Sequence, residues 1–368
     1  MISRKYSNPE TSSSKKEKGF RSVNNRIVYY TFISLAVLFS LMIIAASIGS
    51  ARIPLKQTFE LIIDGIPVLR NLVNVSDISP TYKTIIQNVR LPRVFLAVLV
   101  GMSLSSSGVM YQGLFRNPMA DPYIIGVSSG ASLSASIAIL MGLTSGIGSI
   151  SGIVLSAFAG ALLTTFLVFN LARSKKGHLN VLTLILSGIA IGALLNAATS
   201  FVMLVSSKEK LQAVVFWMMG SLTSALWVKV KVVGPIIIVG IISLFFYTKD
   251  LNSITLGESR AKQLGINVEL MKNMIIIISS FIVAAAVSVT GIIGFVGLVV
   301  PHMMRLIVGP DNRILLPVSA VSGGIVLLLA DTIARNILEP SEIPVGIITA
   351  LIGAPFFIYL LKKTKTGY

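Results

Sequence analysis

Ten apolar segments, each near the length of a bilayer-crossing helix, recur along this chain of 368 residues. They fall at about 27–49, 91–115, 122–142, 149–172, 180–205, 228–249, 272–292, 293–308, 314–337 and 343–361. About 20 helical residues cross a hydrocarbon core, because each adds about 1.5 Å. A barrel strand would alternate apolar and polar residues at every second position. These runs are apolar on all sides instead. The expected class is therefore an all-α polytopic membrane protein with about ten transmembrane helices. Composition agrees: only 12% of the residues are charged and 54% are hydrophobic, unlike a soluble chain of this length. The eighth segment is short, and Pro301 is expected to bend it.

The net charge of +17 could suggest nucleic acid. Its placement argues for a lipid bilayer and no nucleic acid. With the N-terminus inside, the inner side holds the N-terminal tail, Arg116, the 173–176 basic run, Arg260, Lys262, Lys272, Arg305, Arg313 and the 362–365 lysines. A smaller outer set includes Arg52, Arg70, Lys83, Arg90, Arg93, Lys229 and Arg335. This asymmetry is the positive-inside pattern. Residues 1–26 are Ser/Lys/Asn-rich and read as a disordered cytoplasmic tail. Residues 27–362 form the ten-span domain, and 363–368 a short cytoplasmic C-terminal tail. The run at 27–49 is too long for a signal-peptide core, so it reads as a retained span.

The chemistry is sparse. The chain has no cysteine, which removes disulfides and thiolate metal sites. No G-x-x-x-x-G-K-[ST] phosphate loop occurs, so the chain carries no ATPase site of its own. Ser322-Gly323-Gly324 lies inside an apolar span and reads as packing. His178 and His302 have no carboxylate or second histidine at ligand spacing, so no metal site is expected. Asp331 is the one clear acid inside a span, and Arg335 four residues on can pair with it on one helix face. Used up in a structural ion pair, it leaves the path without a coupling acid.

One short piece between two apolar runs does not belong in a bilayer: Thr255-Leu256-Gly257-Glu258-Ser259-Arg260-Ala261-Lys262-Gln263-Leu264-Gly265. It reads as a capped surface helix. Thr255 and Glu258 have capping-box spacing, Ala261, Leu264 and Val268 share one face, and Gly265 suits a left-handed C-terminal cap. It is either a solvated linker or a handle for an external engine. A second amphipathic piece, Lys208–Gly220, suits an interfacial helix with Trp217 at headgroup level.

Several blocks, in order over roughly residues 85–362, resemble the permease subunit of the iron-siderophore, haem and cobalamin ABC importers. They include Arg90-Leu91-Pro92-Arg93, the run Gln112 to Pro122, and Gly126-Val127-Ser128-Ser129-Gly130-Ala131. Further on come Gly294-Phe295-Val296-Gly297 through His302, Ala330-Asp331-Thr332-Ile333-Ala334-Arg335, and Glu342-Ile343-Pro344-Val345-Gly346. Met119 stands where that family usually has leucine, and the basic tail is longer than is common.

The resemblance implies a type II importer permease that dimerises with itself or a homologue in the cytoplasmic membrane, both termini inside. Two cytosolic ATP-binding subunits would dock below, supplying ATP and Mg, and an extracytoplasmic substrate-binding protein would dock above. No cofactor belongs to this chain. The surface helix matches the family's coupling helix, with Leu256, Gly257, Glu258, Arg260, Ala261, Leu264 and Gly265 as the coupling residues. Arg90, Arg93 and Arg335 match arginines that accept carboxylates of the binding protein; the competing reading pairs Arg93 and Arg335 with Asp331 or Glu339. Asn117, Pro118, Asp121 and Pro122 are expected to set the inner turn between the second and third spans. The expected cargo is an iron(III)-siderophore, with cobalamin or haem as alternatives. An ion-gradient carrier is the rival from another class.

Overall fold

The computed structural model describes residues 9–143, 146–147, 150–174, 178–255, 257–338 and 341–365. The helices, in chain order, are α1 (Pro9–Ser47), α2 (Leu55–Asp64), α3 (Pro80–Thr84), α4 (Leu91–Leu114), α5 (Val127–Leu140), α6 (Gly152–Ala172), α7 (Val181–Leu204) and α8 (Lys208–Met218). Then follow α9 (Trp227–Phe246), α10 (Thr248–Thr255), α11 (Glu258–Gln263), α12 (Val268–Thr290), α13 (Val296–Val308), α14 (Asn312–Asn336) and α15 (Val345–Lys365). Two short strands, Gly146–Ile147 and Ile150–Ser151, pair antiparallel before α6. Among the described residues, seven helices are long and apolar enough to cross a membrane, and α5, α13 and α15 are shorter apolar helices. These ten helices coincide with the ten apolar segments of the sequence. Residues 9–26, expected as a disordered tail, instead continue α1 as helix. Once a span has nucleated a helix, each further residue adds a hydrogen bond at little cost.

Polar caps set where several helices begin. Ser151, Asn180 and Asn267 each accept a hydrogen bond from the backbone N–H three residues on, at 3.4, 3.1 and 3.0 Å. Asp311 caps α14 in the same manner through Arg313 N–H at 3.0 Å. Each cap satisfies a donor that the helix cannot.

Helix α4 is the centre of the fold. Nearly every residue from Leu91 to Leu114 is buried, wrapped by α14, α12, α13 and α9. Its sequence is apolar or small on every face, which suits a helix with no solvent side. Two glycine contacts bring its neighbours in. A Cβ on Gly101 would collide with the Gly323 backbone of α14, and one on Gly108 with the Gly297 carbonyl of α13. Pro301 lacks the N–H that would normally bond the Gly297 carbonyl. In lipid no hydrophobic force drives helices together, so such close backbone approach supplies the association. The Ser322-Gly323-Gly324 fragment is therefore packing.

A π-helical turn at Ile85–Arg90 leads into α4. Pro92 cannot donate to the Asn88 carbonyl, and the chain responds by widening the turn just before it. This widening aims Arg90 toward the end of α1.

Candidate functional sites at the two poles

The polar chemistry gathers at the two ends of α4. At its C-terminal end lies the α10–α11 segment. Arg116, with φ of 50°, turns the chain out of α4 and donates to the Ile254 carbonyl at 2.7 Å. Leu251 is fully buried against Gly113. Asn252 joins α10 to α14: its Nδ2 donates to Asp311 Oδ1 at 2.7 Å, and its Oδ1 accepts from Asn312 N and Nδ2 at 3.0 and 2.8 Å. Asp311 also receives the Arg313 guanidinium. Burial opposes its charged form, but these donors hold its carboxyl below the ordinary value.

Helix α11 stands clear of this base. Its C-terminus closes as anticipated: Gly265 has φ of 81°, Gly265 N bonds Lys262 O at 3.0 Å, and Ile266 N bonds Ala261 O at 3.2 Å. That pair of bonds is a Schellman motif. The N-terminus differs from expectation. Thr255 ends α10, where its hydroxyl donates to Asn252 O, and α11 begins from Gly257 at φ of 122° without a side-chain cap. The capping box does not form because α10 extends further than the sequence suggested, and Glu258 is drawn elsewhere. Its Oε1 lies 2.8 Å from Lys272 Nζ on α12. Ala261 is fully buried, while Leu264 is 69% exposed and Arg260 is exposed. The expected shared face is thus split: Ala261 and Val268 pack inward and Leu264 projects out. Leu256 lies outside the described residues.

The turn after α4 is held by its own side chains. Asn117 Oδ1 accepts from Met119 N at 2.9 Å, and Asp121 Oδ1 from Tyr123 N at 2.7 Å. These are Asx turns. Pro118 follows Asn117 directly, and Pro122 packs against Gly297.

At the opposite pole three arginines converge. Arg93 Nε and Nη2 grip Asp331 at 3.0 and 2.9 Å, and Arg93 Nη1 reaches Glu342 at 2.8 Å. Arg335 Nε lies 3.3 Å from Asp331, and its Nη2 donates to Ala45 O. Arg90 Nη1 donates to Ala46 O and Ser47 O, both at 2.8 Å, and its Nη2 to Ala51 O. Arg90 and Arg335 therefore satisfy the last carbonyls of α1, where cations also suit the helix dipole. Asp331 is fully buried, and the three arginines are each less than a tenth exposed. Together with Glu342, Gly49 and Val89 the arginines line an open pocket of about 230 Å³. Nearby, Asp64 takes Lys83 at 2.7 Å and Arg70 at 3.2 Å.

The model of the FecCD transport family matches residues 35–363. The chain belongs to the FecCD transport family. Among curated relatives, this FecCD chain is 47% identical to the cobalamin import permease of Halobacterium salinarum, over 78% of this chain and 76% of that one. It is 42% identical to the hemin transport permease of Yersinia pestis, over 76% and 83%. A solved structure described as an inward-facing metal-chelate type ABC transporter superposes with a TM-score of 0.76 at 33% identity, covering 90% of this chain and 98% of that one. The FecCD chain is thus an ABC importer permease with the type II importer fold.

The structure brings the Asp331–Arg335 pair together, places Arg93 on Asp331 as the competing reading had it, and adds Glu342, which sequence reading missed. Arg93 lies 238 positions from Asp331 and 249 from Glu342, too far for any helical spacing to expose. Glu342 takes the role considered for Glu339, which lies outside the described residues. The signal available was the pairing of an Arg-Leu-Pro-Arg start with an Asp-containing span end, both at one side of the membrane.

Proposed function

We propose that this permease imports an iron(III)-siderophore across the cytoplasmic membrane, drawing energy from two cytosolic ATPase subunits that grip α11. The observation that carries the coupling role is α11 itself: a six-residue helix with Leu264 69% exposed beside exposed Arg260 and Lys262. An apolar knob ringed by polar residues suits a groove on a partner. The opposite pole would then receive the substrate-binding protein. Three guanidiniums gather there against two carboxylates, Asp331 and Glu342, leaving positive charge at a pocket open to an incoming carboxylate. Both termini would face the cytosol in this orientation.

A corrinoid cargo is the second reading, favoured by the 47% identical relative named as a cobalamin permease. The test is uptake by proteoliposomes that hold the permease, its ATPase and its binding protein. Radiolabelled ferric siderophore, cobalamin and haem are offered separately, with and without internal ATP. ATP-dependent siderophore uptake supports the proposal. Uptake of cobalamin alone shifts it to the second reading, and uptake independent of ATP overturns it. Capture of the binding protein should weaken as salt rises, because attraction between the positive pocket and an approaching acidic surface acts through solvent and is screened. A flat salt response removes the docking role from Arg90, Arg93 and Arg335.

A further inference from the structure

Helix α11 is tied to the spans by few contacts. It is flanked by Gly257 and Gly265, and nothing lies within 4 Å of where a Cβ would stand on either. Among the described residues, Glu258–Lys272 is the one ion pair between α11 and a span. Lys272 is 3% exposed at the start of the second turn of α12. A buried ammonium at a helix N-terminus is opposed both by desolvation and by the helix dipole. Packing alone would be served better by leucine or methionine.

One turn earlier, on the same face of α12, stands Glu269. Its Oε2 accepts the Leu179 backbone N–H at 2.9 Å, and its Oε1 lies 3.5 Å from His178 Nδ1. Leu179 pairs with Arg173 across the α6–α7 turn and directly precedes Asn180, the N-cap of α7. The body of α7 is little buried within the chain, at 17% of its apolar window. Its start is held by buried Leu184, by the close approach of Gly188 to the Ile124 carbonyl, and by the turn that Glu269 grips.

We infer that Glu269 and Lys272 are positioning residues that join α11 to α7 through the first turn of α12. The link runs from Glu258 to Lys272, along one turn of helix to Glu269, and through the Leu179 N–H into the start of α7. Meanwhile α10 stays fixed to α4 and α14 through Arg116 and Asn252. A push on α11 pivots at Gly257 and passes to α7, not to the static base. This inference rests on the reading of α11 as the ATPase contact.

The experiment uses the full complex with Lys272→Met, Glu269→Gln, Glu269→Ala, and the exchanged pair Glu258→Lys with Lys272→Glu. Leu264→Asp is run beside them. Transport per ATP hydrolysed is expected to drop about tenfold in Lys272→Met and Glu269→Ala, within the usual range of coupling between sites. ATPase capture and hydrolysis should persist in both. Glu269→Gln keeps an acceptor for Leu179 and should retain more coupling than Glu269→Ala, and the exchanged pair should recover part of the loss. The chain has no cysteine, so Ser259→Cys with Leu182→Cys gives a clean spin-label pair. Their distance should hold constant on ATP binding in the parent and change in Glu269→Ala. Wild-type transport ratios in Lys272→Met and Glu269→Ala overturn the inference, as does a label distance that stays constant on ATP binding in Glu269→Ala. If Lys272→Met does not yield folded complex, Glu269→Ala decides alone. If Leu264→Asp keeps the ATPase at wild-type levels, the α11 contact reading fails instead.

Discussion

Replacing Asp331 with asparagine tests the arginine pole directly. The side chain keeps its shape and loses only its charge. In the parent, Asp331 is fully buried and takes three Arg93 contacts within 3.0 Å and one from Arg335 at 3.3 Å. The variant leaves two buried guanidiniums to share Glu342, which only Arg93 reaches. Breaking one side of a buried pair costs about 3–5 kcal/mol, mostly from the unpaired charge left behind. Glu342→Gln is the internal control. Its carboxylate is about one-third exposed, so water compensates and the loss should stay near 1 kcal/mol. Denaturant unfolding of the detergent-solubilised permease, followed by Trp fluorescence, measures both. A third variant, Arg93→Met with Asp331→Leu, removes the charges together and should regain much of the loss, because the desolvation cost disappears with them. Equal effects of Asp331→Asn and Glu342→Gln, within about 0.5 kcal/mol, would refute the buried-network reasoning.

Two further outcomes follow from the geometry. The Lys83 ammonium is the chief cause that holds the Asp64 carboxyl below its ordinary value of 3.8. A lowered folded value means the carboxylate stabilises the 50–90 loop fully above that pH, and the gain disappears as pH falls through the folded value. Proteolysis of that loop should accelerate on acidification, and Asp64→Asn should remove the dependence; an unchanged profile in the variant refutes the assignment. Gly108→Ala should destabilise by about 1–3 kcal/mol because the Gly297 carbonyl already occupies the space, whereas Gly294→Ala, with nothing nearby, should stay within about 0.5 kcal/mol. Comparable thermal stability of the two variants would contradict the close α4–α13 contact.

The span pattern was legible because a bilayer imposes a length and a polarity on every crossing segment, and both can be read from local sequence. Ten apolar segments became ten apolar helices, even where the helix proved short, as in α5 and α13. The Schellman end of α11 was legible for a similar reason: Gly265 acts within one turn. The start of α11 was not. Thr255 can serve a helix on either side, and the choice fell to α10 once Leu251 and Asn252 had docked that helix onto α4 and α14. Glu258 was then left to Lys272.

The arginine pole shows the same division. Sequence alone carried the class of the chain, the absence of a phosphate-loop motif, and the i, i+4 spacing of Asp331 and Arg335. Only the tertiary structure decided that Arg93 would own Asp331, that Glu342 would join them, and that Arg90 would close the end of α1. The reason is distance along the chain. A membrane dictates which residues lie inside it, while the partner of a buried charge is chosen by helices packed side by side, across separations that no local period encodes.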